Sequence, residues 1–213
     1  MREFKIRASG AGNLMGIKGL GKTGESYLQQ WTKEQLYDRR KFMTNKYVEK
    51  GLVMEDESLD YIADNLGYGL LVKNEQYFEN DYFTGTPDVI LDDHLIDVKN
   101  SYDCFTFPLF EDEVPNKDYY YQAQVYMALC DKQSYKLIYT LMDTPEHIIE
   151  KEFKWNNPME LSYEDFKKDY IYSNLDADYR IKVFTIERNQ SDIDKLIERV
   201  KESRIYINQL LNN

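Results

Sequence analysis

The sequence predicts one mixed α/β domain that spans residues 1–213. Two observations lead to this fold class. The chain has 213 residues, of which 42% are hydrophobic, and this is enough for one domain with a proper core. Segments with helical spacing of apolar residues come first, a run of short strands follows, and the rest alternates between helix and strand, as in a sheet covered by helices.

Each element is predicted from its local pattern. Apolar spacing predicts helices over 26–50 and 51–66, and Gly67 and Gly69 end the second helix. Three strands follow at 70–78, 88–91 and 94–99, separated by turns at 79–81 and at Asp92–Asp93. The remaining predicted elements are a helix at 118–130, strands at 136–142 and 180–187, and a helix at 190–211.

Composition limits the classes of function. The net charge of −11 argues against a protein that coats nucleic acid nonspecifically, but it is compatible with an enzyme that has a local basic track. The sequence has no apolar run near the roughly 20 residues that span a bilayer, and no apolar signal segment at its start, so a cytoplasmic protein without membrane contact is expected. Two cysteines and two histidines are too few for a disulfide framework or a histidine-rich metal site. Carboxylates must therefore hold any metal, which favours magnesium or manganese.

One glycine-rich segment fits a phosphate-binding pattern. GIKGLGKTGES matches G-x-x-x-x-G-K-[ST] from Gly16 to Thr23, with Lys22 as the lysine. In a P-loop ATPase this pattern follows a buried apolar strand, whereas the preceding ASGAGNLM makes a poor core strand. Asp143, after a later strand, could supply the metal-binding carboxylate of such an ATPase. A P-loop, a flexible surface loop, and a loop that contacts a different phosphate through Lys18 and Lys22 are the three alternatives.

The segment GTPDVILDDHLIDVKNS, residues 85–101, contains candidate catalytic residues. Side chains alternate across a strand, so Asp97 and Lys99 point to one face and Val98 to the other. A short turn lets this strand pair with 88–91, which can bring Asp88 alongside Asp97. Two carboxylates can hold magnesium, and an ammonium group can orient a water or stabilise charge on a phosphate. The alternative is a solvated face with an ion pair worth under about 1 kcal/mol.

Two predicted helices add polar candidates. Glu55 lies on an apolar stripe, where a lone carboxylate is costly, while Glu57 lies roughly opposite. The stripe has members at spacings of three and four: Leu52, Leu59, Ile62 and Leu66. A metal site would give Glu55 a partner, and the alternative is a helix edge where it reaches water. Gln122 and Tyr126 lie four residues apart and share a face, either beside the metal site or in a tyrosine-rich interface helix.

Together these residues resemble the PD-(D/E)XK nuclease superfamily, and within it the phage lambda exonuclease / YqaJ-type viral recombinase family. The matched segments fall in the family's order: Arg7-Ala8-Ser9, Gly51 with Glu55, Thr86-Pro87-Asp88, Asp97-Val98-Lys99, and Gln122, Gln124, Tyr126 and Met127. The resemblance covers residues 7–142. Asp97 stands where many members have glutamate, and Thr86 where some have serine.

The resemblance implies a restriction-endonuclease-like core, with a central mixed sheet flanked by helices. It also implies a metal-dependent exonuclease that digests linear double-stranded DNA ends, usually 5′ to 3′, in phage-type recombination or DNA processing. Asp88, Asp97, the Val98 carbonyl and the nearby Glu55 would hold Mg²⁺ or Mn²⁺. Lys99 would assist the attacking water, and Gln122 would border the metal site.

The resemblance also implies how DNA is held. Arg7, Ser9 and Thr86 would lie near the 5′ phosphate, and Tyr126 would grip the scissile strand. Lys18 and Lys22 would belong to a DNA-facing loop, whose glycine amides suit phosphate contacts without ATP. Family members form rings, so a homo-oligomer such as a trimer is implied, together with a single-strand annealing protein as partner.

Three other functions stay open at this point. The first is a P-loop ATPase that uses Gly16–Thr23. The second is a non-catalytic module that binds DNA ends and keeps the nuclease shape. The third is an endonuclease of the same superfamily.

Overall fold

The computed structural model describes residues 2–41, 45–156 and 161–212. Its α-helices are α1 Gly21–Tyr37, α2 Lys46–Val53, α3 Glu55–Leu66, α4 Lys117–Cys130, α5 Glu146–Asn156, α6 Tyr163–Lys168 and α7 Gln190–Asn212. Its strands are β1 Ile6–Arg7, β2 Phe78–Glu79, β3 Phe83–Gly85, β4 Val89–Ile90, β5 His94–Asn100, β6 Ser134–Thr140 and β7 Ile181–Glu187. Two short 3₁₀ helices cover Ala8–Leu14 and Ala177–Tyr179.

The strands form two sheets. The larger sheet has the order β4-β5-β6-β7, with a parallel β5–β6 pair between two antiparallel pairs. Parallel neighbours need a long crossover, and α4 lies in the connection between β5 and β6. The smaller sheet has the order β1-β3-β2, in which β1 runs parallel to β3. This second sheet brings the start of the chain next to residues 83–85.

Alternation along β5 separates two hydrophobic cores. Leu95 belongs to the larger core, which also includes Val125 of α4 and Leu196 of α7. Ile96 and Val98 point the other way and pack in a smaller core with Leu59 and other residues of α3. The four-stranded sheet therefore has helices on both faces, and the predicted fold class is confirmed.

The two N-terminal helices differ from their predicted bounds. The helix predicted over 26–50 is wrong as a single element, because α1 ends at Tyr37 and Asp38 adopts a left-handed conformation with φ 49°. Residues 42–44 of that prediction lie outside the described residues. The helix predicted over 51–66 is also wrong in its first turn, since α2 ends at Val53 and α3 begins at Glu55. Gly67 ends α3 with φ 75°, as predicted.

The strand predicted over 70–78 is wrong over nearly all its length. Only Phe78 of this segment lies in a strand. Leu71 is buried, but Leu70 and Val72 are 83% and 69% exposed, so the apolar residues do not form one buried face. Asn74 bonds to a segment 13 to 14 residues later instead of forming a strand ladder: its backbone N–H donates to the Asp88 carbonyl at 2.7 Å, and its side-chain Nδ2 donates to the Pro87 carbonyl at 2.9 Å.

The remaining elements agree with their predictions to within a few residues. α4, β6, β7 and α7 lie at the predicted places, and the predicted turn at Asp92–Asp93 joins β4 to β5. No helix within the described ranges is both long and apolar enough to cross a membrane.

Candidate active site

The β4–β5 hairpin brings the two predicted aspartates together. Val89 pairs with Ile96 in this antiparallel ladder, so Asp88 and Asp97 lie opposite each other one step further along. The backbone N–H of Val98 donates to Asp88 Oδ2 at 3.1 Å. The Asp97 side chain is 1% exposed. The predicted placement of both carboxylates is therefore present in the structure.

Gln122 and Lys99 hold Asp97 from two sides. Gln122 Nε2, on α4, donates to Asp97 Oδ1 at 2.9 Å. The Lys99 ammonium forms an ion pair with Asp97 Oδ2 and lies 5.1 Å from the centre of the Tyr119 ring. Oδ2 nevertheless accepts no hydrogen bond of good geometry from the described residues. The partner of this buried oxygen is therefore the Lys99 ammonium, held by charge attraction.

The surroundings of Asp88 change its ionisation. Burial, followed by the nearby Asp97 charge, raises the pKa of Asp88 to about 7, although Lys99 and the Val98 N–H oppose this shift. Burial alone would lower the pKa of Lys99, yet attraction to Asp97 and Asp88 raises it above its ordinary value. Lys99 is therefore held as an ammonium ion. The site carries concentrated negative charge that one lysine only partly offsets.

Glu55 lies at the rim of a cavity beside the carboxylate pair. This cavity has a volume of about 500 Å³, and its lining residues include Glu55, Asp88, Val98 and Lys99. Glu55 is the first residue of α3, its side chain is 22% exposed, and it pairs with the Lys73 ammonium at 2.8 Å. The prediction that Glu55 shares one apolar stripe with Leu52 is wrong. The helix is interrupted at Met54, and Leu52, which lies before the interruption, is 69% exposed.

A buried polar network fixes the helix that carries Glu55. Ser58 Oγ donates to Asn100 Oδ1 at 2.7 Å, and Thr140 Oγ1 donates to the same oxygen at 2.9 Å. These bonds join the first turn of α3 to the ends of β5 and β6. Glu57 is exposed on the other side of the helix, as predicted.

The donor set fits a divalent cation in two respects. Asp97 Oδ2 is a buried carboxylate oxygen whose partner is the Lys99 ammonium, and Asp88 lies opposite Asp97 on the paired strand. A hard cation would offset both the burial and the Asp97 repulsion that raise the Asp88 pKa. Within the described residues, however, no group of three or more His, Cys, Asp or Glu side chains converges closely enough to hold a metal ion. Glu55 is bound to Lys73 instead of joining the aspartates.

A basic pocket lies beside the carboxylate pair. Pairing of β1 with β3 places Arg7 opposite Thr84, and the pocket of about 820 Å³ is lined by Arg7, Ser9, Thr86 and Tyr126 together with ten other described side chains and Gly85. Four of the residues predicted to contact DNA thus come together. Tyr126 is buried, and its hydroxyl donates to the Thr86 carbonyl at 3.0 Å, so it supports the pocket from below.

Two glycines, one lining this pocket and one beside it, pack closely against tyrosine side chains. A Cβ added to Gly85 would lie 2.5 Å from the Tyr126 ring and 3.2 Å from Ala8 Cβ. A Cβ at Gly10 would lie 2.6 Å from the Tyr27 hydroxyl. A side chain at either position would therefore force the neighbouring tyrosine to shift, so both glycines favour the present packing.

Sequence reasoning missed several residues of this pocket. Arg2, Lys5 and Arg40 also line it, together with Trp31 and Tyr77. Lys5 pairs with Glu79 at 3.4 Å, whereas Arg2 and Arg40 form no ion pair with other described residues. The run Arg39-Arg40-Lys41 was a visible signal, but nothing in its local pattern indicated that it folds back toward Arg7.

The glycine-rich segment does not have the P-loop arrangement. Ala8–Leu14, which precedes it, is a 3₁₀ helix instead of a buried strand. Asp143 is already engaged, since it accepts hydrogen bonds from the N–H groups of Tyr172 at 2.6 Å and Ser173 at 2.8 Å. Lys22 lines a shallow depression with Asn13 and Tyr27, and this depression lies next to the basic pocket. Lys18 is exposed and lines neither the depression nor the basic pocket.

Comparison with known proteins gives structural matches only. The sequence matches no protein-family model and no curated protein. The crystal structure of a phage related exonuclease from Haemophilus somnus 129PT matches with a TM-score of 0.84 and 27% identity, and the match covers 99% of this chain and 96% of that one.

A second neighbour is more distant. The alkaline exonuclease LHK-Exo from Laribacter hongkongensis matches with a TM-score of 0.71 and 15% identity, over 98% of this chain and 90% of that one. The same enzyme in complex with dAMP matches with a TM-score of 0.70. At this identity the likeness shows the fold. The first neighbour, an exonuclease at 27% identity, confirms the family resemblance found in the sequence.

Proposed function

We propose that this chain is a metal-dependent exonuclease of the phage lambda exonuclease / YqaJ-type family of PD-(D/E)XK nucleases, and that it digests linear double-stranded DNA from the 5′ end. Its exonuclease neighbours support a DNA exonuclease in general terms. The metal requirement, the polarity and the duplex substrate go beyond what these neighbours support, and we propose them from the residues of the site.

One observation carries this proposal. The buried Asp88–Asp97 pair with Lys99 lies only two residues along the chain from Thr86, which lines the basic pocket. A carboxylate site suits the scissile phosphate, and an adjacent cationic pocket suits the terminal phosphate of the same strand. This combination favours cleavage at an end over cleavage inside a duplex.

The residues of the carboxylate site have separate tasks. Asp88, Asp97 and the Val98 carbonyl would hold Mg²⁺ or Mn²⁺, which when bound supplies charge neutralisation and a more acidic water. Gln122 fixes the orientation of Asp97 through its 2.9 Å hydrogen bond. Lys99, held as an ammonium ion, stabilises negative charge on the phosphoryl oxygens. Glu55 acts at the rim, where its bond to Lys73 orients it.

The basic pocket would hold the 5′ end. Arg7 offers a guanidinium, and Ser9 and Thr86 offer hydroxyls that can donate to a terminal phosphate. Arg2 and Arg40 add positive charge without ion-pair partners among the described residues. The distant neighbour LHK-Exo has been solved with dAMP, which agrees with a nucleotide-binding site in this fold. We further propose that the protein assembles into a homo-oligomeric ring and works with a single-strand annealing protein, as its family suggests.

The test uses linear duplex DNA labelled at the 5′ or the 3′ end, incubated with magnesium, manganese or EDTA. We expect release of labelled mononucleotides from the 5′-labelled DNA first, and no release in EDTA. A covalently closed circle of the same sequence is the matched control and should stay intact.

Three results would change the assignment. Cleavage of the closed circle at the linear rate would indicate an endonuclease. Release from the 3′-labelled end first would reverse the polarity. Tight binding of DNA ends without any cleavage, with or without metal, would indicate a non-catalytic end-binding module.

A further inference from the structure

A second groove lies away from the carboxylate pair and the basic pocket. It has a volume of about 710 Å³ and runs along β7, the outer strand of the four-stranded sheet. Consecutive residues of β7, from 182 to 187, line it, so the groove follows the edge of the strand and not one of its faces. The opposite wall contains Glu111, Asp112, Glu113 and Val114, with Tyr120 and Tyr121 of α4.

The outer edge of β7 has unused backbone groups. Hydrogen bonds from Leu141 N–H to the Arg180 carbonyl at 2.8 Å, and from Arg188 N–H to the Gln133 carbonyl at 2.9 Å, fix the alternation of the β6–β7 ladder. The backbone N–H and carbonyl groups of residues 182, 184 and 186 therefore bond to β6. Those of residues 181, 183 and 185 point away from β6, toward the outer edge. Among the described residues, no backbone hydrogen bond satisfies the N–H and carbonyl groups of Val183 and Thr185 on that side.

This edge is open over a useful length. A seven-residue strand spans roughly 23 Å, and β7 contains no proline that would block pairing. Val183 is 37% exposed, and the groove leaves free space between β7 and residues 111–114. An added strand would lie about 4.8 Å from β7, within that space.

The charge of the groove selects the kind of occupant. Glu111, Asp112 and Glu113 are exposed and form no ion pair with other described residues, and Glu187 adds a fourth carboxylate at the far end. The lysines of the groove are Lys117 and Lys182, and the Lys182 ammonium already donates to the Leu109 carbonyl at 3.3 Å. This surface repels DNA phosphates and attracts cationic side chains.

The floor of the groove can hold apolar side chains. The rings of Tyr120 and Tyr121 pack edge to face, with centroids 5.3 Å apart. The Tyr120 hydroxyl donates to Asp192 at 2.7 Å, which fixes that ring. Val114 and Val183 border the same space. An extended segment could therefore place alternate aliphatic side chains on this floor.

We propose that this groove binds an extended, lysine- or arginine-bearing peptide segment of a partner protein, which adds a strand to β7. Backbone hydrogen bonds would supply the pairing, and the acidic wall would supply the preference for basic residues. The proposal does not depend on the nuclease activity.

The test measures peptide binding by the full-length protein in EDTA, using fluorescence anisotropy. The probe is a labelled peptide of about eight residues that alternates lysine and valine, which matches the length of β7. Two matched peptides serve as controls, one with glutamate in place of lysine and one with lysine but with alternate backbone amides N-methylated. We expect the lysine peptide to bind at least about tenfold more tightly than either control.

Protein variants locate the site. Thr185→Pro removes an outward-facing N–H and leaves the ladder to β6 intact, so it should weaken binding about tenfold, while Thr185→Val should not. The triple variant Glu111→Gln, Asp112→Asn and Glu113→Gln, which changes only exposed side chains, should remove the preference for lysine over glutamate. The N-methylated peptide tests strand pairing even where Thr185→Pro lowers stability.

Three outcomes would overturn the proposal. Equal binding of the N-methylated peptide would mean simple charge attraction. No binding of the lysine peptide up to millimolar concentration would mean that the edge does not accept a strand. Concentration-dependent self-association that Thr185→Pro abolishes, without peptide binding, would assign the groove to a second copy of this chain.

Discussion

The carboxylate pair and the basic pocket flank one short turn, yet they are assembled in opposite ways. Asp88 and Asp97 lie nine positions apart, and one hairpin brings them together. The pocket draws its residues from six separate stretches of the chain, and it exists because β1 pairs with β3. The first site is therefore encoded in local spacing, while the second depends on long-range contacts.

The two regions also differ in charge and exposure. Asp97 is almost fully buried, and burial together with the Asp97 charge raises the pKa of Asp88, whereas Arg7 faces an open cationic cavity. A buried acidic site suits a chemical step, and an open basic pocket suits the capture of a DNA end. Substitutions in the first should slow cleavage with little effect on DNA binding, and substitutions in the second should change which ends are preferred.

The largest expected effect belongs to Asp97. Asp97→Asn keeps the shape of the side chain but removes the negative charge that a metal needs, so both cleavage and metal binding should be lost. Lys99→Ala should instead fold, bind metal and hold DNA ends, yet cleave about 10²–10³-fold more slowly. Manganese titration and single-turnover digestion of each variant separate the two outcomes.

Lys99 gives the sharper test of the pair. Its ammonium contacts Asp97, and its contribution should appear in the transition state, where charge builds on the phosphoryl oxygens. Ground-state DNA affinity should change far less, since many phosphate contacts share it. Cleavage by Lys99→Ala within a few-fold of the parent would place the active site elsewhere.

An intermediate effect is expected at the rim. Glu55→Gln weakens the ion pair with Lys73 and removes a carboxylate from the cavity, so cleavage should fall about 10- to 100-fold. Glu57→Gln on the exposed side of the same helix is the matched control and should change little. Single-turnover rates of both variants at saturating metal provide the measurement. Similar losses in both would mean that the charge of the helix start matters and not Glu55 itself.

A smaller effect should appear at the basic pocket. Arg7→Ala should lose a preference of about tenfold for 5′-phosphorylated over 5′-hydroxyl ends, because a guanidinium–phosphate contact is a charge-assisted hydrogen bond. Lys5→Ala is the matched control, since Lys5 lines the same pocket but is paired with Glu79. The measurement is the ratio of digestion rates on the two kinds of end. An unchanged ratio in Arg7→Ala would contradict the assignment of the pocket.

The same contrast explains what the sequence could predict. Alternation along one strand was sufficient to predict that Asp97 and Lys99 share a face. The short turn before that strand was sufficient to predict that Asp88 lies opposite Asp97. Both predictions use only residues close together in the sequence. The register of Glu55 was only partly predictable, since nothing in the local pattern indicates the break at Met54 between α2 and α3.

Other features depend on contacts between distant residues. Arg2 and Arg40 reach the pocket only through tertiary packing. The strand prediction for residues 70–78 was wrong for a similar reason. Asn74 bonds to the Asp88 and Pro87 carbonyls, 13 to 14 residues away, instead of pairing in a ladder. Gln124 is a further case, since it accepts from Asn189 N–H at 2.7 Å and donates to the Glu187 carbonyl at 2.9 Å. Local periodicity contains no information about such partners.

The smallest effect is expected at the glycine-rich segment. A P-loop needs a strand before its first glycine, and Ala8–Leu14 is a 3₁₀ helix there. Lys22 is exposed at the start of α1 and lines a depression beside the basic pocket, so it can contribute one phosphate contact among many. Lys22→Ala should therefore change the digestion rate by less than about threefold at moderate salt. ATP should neither accelerate digestion nor raise the melting temperature of the parent protein. The decisive comparison is thermal unfolding and linear-DNA digestion of the parent and Lys22→Ala, each with and without ATP and magnesium. A stabilisation by ATP that disappears in Lys22→Ala would mean that the loop binds nucleotide despite its helical approach, and the basic pocket would then lie beside a nucleotide site of its own.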